Sequence, residues 1–225
     1  MAGLTDQAGG NDRPQKGAPE QARRTWEDSM IRTLDRLRAE LCKKDPLIIA
    51  SHCDATYKDD QLCLFYWGES LSIHWPDLEI YDAHGDPIST FDTAMIIYYL
   101  QSADGSPLAD RWIGFRELPS GAFYNQAFQG YSGNRLARIF GEKSEKFHEA
   151  ALALGGWKLP ALADYAYAFQ PLPRIRLAAT LWPGDDEFPA KASVLFDAAA
   201  SHYMVTDGLA LLGSGLTGRL IKQLK

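Results

Sequence analysis

A chain of 225 residues with 46% apolar and 23% charged side chains can bury its own core, with roughly 70% of its unfolded surface removed from water. The formal net charge of −6 argues against holding nucleic acid by a general basic surface, because that binding rests on many Lys and Arg contacts to phosphates. No run of about 18 apolar residues exists to span a bilayer. The opening "MAGLTDQAGGNDRPQKGAPEQ" lacks the basic-then-apolar layout of a secretory signal, so a cytoplasmic home is expected.

In chain order, residues 1–19 are rich in Gly, Gln, Asp and Pro without apolar period, a composition that predicts a disordered tail. One α+β domain is expected over residues 20–225. From Pro19 to Lys43 the apolar positions Trp26, Met30, Leu34, Leu37 and Leu41 recur at helical spacing, and Asp45 with Pro46 ends that helix. The runs "LIIASHCDATY", "QLCLFYW", "LSIHW", "LEIY" and "PIST", separated by turn residues, predict an antiparallel meander of three to five strands. Asp92 or Thr90 is expected to cap a buried helix through "TAMIIYYLQSA", closed by Gly105 and Pro107.

The middle segment reads as a strand or extended lead-in, then two or three helices ending at Gly155 and Gly156. Ile175, Leu177, Ala179 and Leu181 alternate as in a half-buried strand. Two closing helices are predicted, one starting near Pro189 and one from Thr206 with Leu209, Leu212, Leu216, Leu220 and Leu224 on one stripe. The fold class is therefore α+β: an N-terminal helix, a meander sheet, and a mostly helical C-terminal half packed on it.

The segments "RWIGFRELPSGAFYNQAF", "LGG" with "LADYAYAF", "LPRIRLAATLWPGDDEFPAKASVLFD" and "HYMVTDGLALLG" resemble the domain of unknown function 3786 family over about residues 45–225. The resemblance implies no settled activity. It also implies occurrence largely among anaerobes and, in some members, fusion to a cysteine-rich iron–sulfur segment. This chain departs from those members, since its N-terminal helix carries only Cys42. No catalytic residue carries over.

The residues themselves offer several sites. Asp185 and Asp186 can supply oxygen ligands to a hard divalent cation, with Asp164, Asp197 or Asp207 completing the set. Alternatively, they sit as acidic residues before a helix that begins near Pro189. Within that helix Ser193, Asp197 and Ser201 fall at steps of four, either as a solvated edge or as a polar line facing Arg174 and Arg176. Ser120 can cap a helix whose N-terminus, with Arg116 and Arg111, would hold an anion, though a plain loop fits as well.

No phosphate loop, dinucleotide fingerprint or nucleophile elbow is present. The three cysteines, Cys42, Cys53 and Cys63, lack metal-site spacing, and Cys53 and Cys63 suit a core. His52 and Cys53, adjacent on an expected strand, would face opposite ways. The many aromatic residues of the expected sheet fit core packing, or the wall of a pocket for a flat ligand facing the C-terminal helices.

The leading expectation is a ligand- or cofactor-binding accessory protein without evident catalysis, taking a small anionic ligand or cofactor, or a protein partner, through Arg116, Ser120, Arg174 and Asp197. The cofactor is unspecified. A divalent-metal-dependent hydrolase or transferase using Asp185, Asp186 and Asp197 is the first alternative. A structural protein that docks through its N-terminal helix is the second.

Overall fold

The computed structural model describes Gln21, Arg24, Thr25, Asp28, Ser29 and residues 31–224. The expected tail over 1–19 and the stripe positions Trp26 and Met30 lie outside the described residues. Downstream, α1 (Leu34–Leu41) buries Leu34, Leu37 and Leu41, as the four-and-three spacing predicts.

The next element differs from the expectation. "PLIIASHC" is not a strand but a second helix, α2 (Pro46–Cys53), and only Thr56–Lys58 is extended, as β1. Asp45 starts α2: its side chain accepts the N–H of Leu47 at 2.9 Å, and Pro46 occupies the first helical position, where its missing N–H costs nothing. A short apolar run does not reveal its own period, so the cap decides. Helical placement also removes the opposite-face relation expected for His52 and Cys53.

With β2 (Gln61–Tyr66), β3 (Glu69–His74) and β4 (Glu79–Tyr81), β1 forms an antiparallel meander in sequence order. Leu62 faces Ile73 and Leu64 faces Leu71, all four buried. "PIST" contributes only an isolated bridge, Tyr81 to Pro87. The β2–β3 turn places Trp67 at φ +52 and Gly68 at φ +86, the paired left-handed conformation that matches strand twist. The Trp67 N–H donates to the Pro171 carbonyl at 2.9 Å, which ties this turn to the second sheet. Then α3 (Thr90–Ser102) follows, capped by neither Asp92 nor Thr90 but by Ser89, whose hydroxyl accepts the N–H of Asp92.

The C-terminal half is not mostly helical. It holds a five-stranded antiparallel sheet of β5 (Trp112–Gly114), β6 (Trp157–Lys158), β7 (Tyr165–Leu172), β8 (Ile175–Trp182) and β9 (Lys191–Asp197), ordered β5-β9-β8-β7-β6. The helix expected from Pro189 is β9. Its Ala192, Val194 and Phe196 alternate inward and register with Leu181, Ala179 and Leu177. Alanines suggested a helix; the tertiary ladder with β8 overrides that propensity.

Between β5 and β6 lie α4 (Gly121–Tyr131), α5 (Gly133–Phe140) and α6 (Ser144–Ala153), and α7 (Thr206–Lys222) closes the fold. Leu209, Leu212, Leu216 and Leu220 of α7 are buried on the predicted stripe. The buried apolar side chains from Leu34 to Leu220 form a contiguous cluster. Phe128 anchors it, stacked on Phe115 at 4.2 Å and flanked by Tyr131 and Phe196. No helix among the described residues is long and apolar enough to cross a membrane.

Candidate functional site

The face of α7 opposite its leucine stripe carries Leu211, Gly215, Gly218 and Lys222 at steps of four, three and four, with Arg219 beside them. Leu211 is buried with the core, whereas Gly215, Gly218 and Arg219 are only half-buried and Lys222 is exposed. The face forms one side of a half-open cleft of about 530 Å³, closed by the start of α3 (Phe91, Asp92), Arg135 of α5 and Leu154 at the end of α6. Gly218 belongs to the cleft's floor, where a side-chain carbon would meet nothing within 4 Å.

Three cations converge on this cleft. The Arg219 guanidinium sits 4.7 Å above the Trp67 ring, a cation–π contact made possible by the left-handed Trp67–Gly68 turn. Arg135 is half-buried, Lys222 exposed. Among the described residues none of the three forms a hydrogen bond or ion pair with a carboxylate. Among the described residues the carboxylate lining the cleft is Asp92, and each of its oxygens accepts a hydroxyl. Oδ1 accepts the Tyr66 hydroxyl at 2.8 Å, and Oδ2 accepts the Ser89 hydroxyl at 2.6 Å. Burial and the neighbouring Asp92 charge push the Tyr66 phenol well above its ordinary range, so it stays a donor.

The residues singled out from sequence are not brought together. Arg116 is exposed in a short 3-10 turn, Phe115–Glu117. Ser120 precedes α4 in a left-handed conformation, φ +59, and its side chain makes no capping bond, so the helix start expected to hold an anion is built differently. Arg174 lies in the β7–β8 turn; its N–H donates to the Tyr99 hydroxyl, and its Nε is 3.6 Å from Asp54, an ion pair beyond hydrogen-bonding reach. Arg176 pairs with Asp110 at 2.7 Å.

Asp197 meets neither arginine. Fully buried at the end of β9, its Oδ1 accepts the N–H groups of Ala109 and Ala199 at 2.9 and 2.8 Å. The Ser193, Asp197, Ser201 line dissolves because β9 is a strand and Ser201 belongs to a separate 3-10 turn, Ala200–His202.

The acidic loop is the β8–β9 hairpin turn, so no helix dipole acts on it. Asp185 Oδ1 accepts the N–H groups of Glu187 and Phe188, and the Asp185 N–H closes onto the Phe188 carbonyl. Asp186 is exposed, in a hollow shared with Arg138 and Lys143. Among the described residues no group of three or more His, Cys, Asp or Glu side chains is placed to hold a metal ion.

His202 Nδ1 lies 2.7 Å from Asp104 and 3.2 Å from the Ser106 hydroxyl. Both contacts fall on one ring nitrogen, whereas a serine nucleophile needs its base through the other. The His202 contact, aided by Ser106, holds the Asp104 carboxyl down to about 2. Burial pushes the Cys53 thiol up to about 12, which leaves it a core residue rather than a nucleophile.

The aromatic side chains mostly fill the core instead of walling a flat slot; Phe91 lines the cleft, and Trp67 lies beneath Arg219. The basic cleft itself was missed from sequence. Its signal is the "GSGLTGR" stretch of α7, whose glycines and arginine lie off the leucine stripe that marks the helix.

The fold and cleft together define an α+β protein of two antiparallel sheets bearing a cleft lined by three cations. The chain belongs to the domain of unknown function 3786 family, whose model matches residues 45–219. No curated protein and no solved structure is significantly similar to it.

Proposed function

We propose that the protein is a cytoplasmic accessory protein that binds a small anionic ligand in the cleft between α3, α5 and α7, without catalysis of its own. The observation that carries this reading is that Arg135, Arg219 and Lys222 line one cleft with no carboxylate partner among the described residues. In a chain of net charge −6, three like charges gathered in one concavity repel each other, and a bound anion relieves that repulsion. Half-burial of Arg135 and Arg219 strengthens the attraction beyond that of surface residues.

The site moves from the Arg116, Ser120, Arg174 and Asp197 set to this cleft, because those four are dispersed and Asp197 is spent on backbone N–H groups. The test is calorimetric titration of inorganic phosphate and sulfate into the wild type and into Arg135→Gln and Arg219→Gln. Each substitution should weaken binding by roughly tenfold, the worth of one charge-assisted contact. Affinities unmoved by both substitutions would remove the proposal.

A further inference from the structure

We infer that the ligand of this cleft is a phosphate monoester carrying a small apolar or aromatic group. This inference rests on the anion-binding reading above and adds the ligand's class.

Charge comes first. Among the described residues, three cations and the one carboxylate of Asp92 line the cleft, an excess of two positive charges. A phosphomonoester carries about −1.5 to −2 at pH 7, which matches that excess, while a monocarboxylate leaves one cation uncompensated. The donor set agrees. Arg219 is held 4.7 Å over the Trp67 ring, and a guanidinium is a planar fork that can take two phosphate oxygens at once. Arg135 and Lys222 line the same cleft from α5 and the last turn of α7, so donors are offered from two helices.

The remaining lining is partly apolar, with Ser214 and Gln223 as its uncharged polar members. Phe91, Leu154 and Leu211 line the cleft with the cations, and Phe91 and Leu154 keep part of their surface open. A volume of about 530 Å³ far exceeds what a bare phosphate fills, and falls in the range of small-molecule sites. Asp92 already accepts Tyr66 on one oxygen and Ser89 on the other, so it is held in place beside the cleft rather than free to swing into it. The open floor at Gly218 lets a flat group lie against the α7 backbone.

Calorimetric titration at pH 7.5 with phenyl phosphate, inorganic phosphate, benzoate and isophthalate tests the class. Phenyl phosphate should bind about tenfold more tightly than inorganic phosphate, from the apolar area it covers, and more tightly than either carboxylate. Phe91→Ala should erase the advantage over inorganic phosphate, while Arg219→Gln weakens both. Gly218→Leu should block phenyl phosphate with the melting temperature held or raised, which separates a filled cleft from a damaged fold. If inorganic phosphate or isophthalate equals phenyl phosphate and the arginine variants still matter, the class assigned here is overturned and the anion site stands. If no anion binds, both fall.

Discussion

Asp197→Ala tests whether this carboxylate holds the fold or a ligand. Asp197 is 1% exposed, and its Oδ1 ties the loop before β5, through Ala109, to the turn after β9, through Ala199. Hydrogen bonds to a charged acceptor contribute about 1.5–3 kcal/mol each, and a buried donor left unsatisfied costs about 1–3 kcal/mol. Ala199 is buried and keeps its penalty, whereas Ala109 is exposed and can turn to water. Truncation should therefore cost about 2–3 kcal/mol, or roughly 5–10 °C in melting temperature for a chain of this length.

Asp197→Asn retains the oxygen that both N–H groups use and should cost only about 1 kcal/mol. Urea unfolding followed by circular dichroism, with equal slopes for the three proteins, reads the difference. An alanine variant as stable as wild type, or an asparagine variant as damaged as alanine, would refute the reasoning. Phenyl phosphate affinity should be the same in all three.

Two glycines of α7 should respond oppositely to alanine. At Gly213 the added carbon would lie 2.9 Å from the Phe128 ring, so the variant should lose stability despite better helix propensity; at Gly218 it meets open space and should gain up to about 1 kcal/mol by thermal melting. In the hairpin turn, Asp185→Ala should lower the melting temperature without any metal present, because it frees two N–H groups, while Asp186→Ala should be silent. A metal-dependent effect shared by both would revive the cation reading.

Acid unfolding should expose Asp104. Its carboxyl is held near 2 in the folded chain against an ordinary 3.8, so its pairing adds stability above pH 3.8 that fades as pH falls toward 2. Asp104→Asn should flatten that limb by under about 1 kcal/mol, since the Asp104–His202 pair is half exposed. An unchanged acid limb would count against the pairing.

Alternation at Leu62, Leu64, Leu71 and Ile73, helical spacing at Leu34, Leu37 and Leu41, and the leucine stripe of α7 were all legible, because each element signals its own period. Where the run was short or alanine-rich, the period was silent. "PLIIASHC" became a helix through the Asp45 cap, and "KASVLFD" became a strand through its ladder with β8. The acidic hairpin and Asp197 looked like ligand sites because exposed and backbone-engaged carboxylates read alike in a sequence.

By itself, then, the sequence determined an α+β chain of amphipathic helices and antiparallel strands, since side-chain periodicity is a local property. Only the tertiary structure decided which polar residues meet. Trp67, Asp92, Arg135 and Arg219 come from four separate elements. Their convergence depends on how α7 packs its leucines inward and thereby turns Gly218, Arg219 and Lys222 toward α3 and α5.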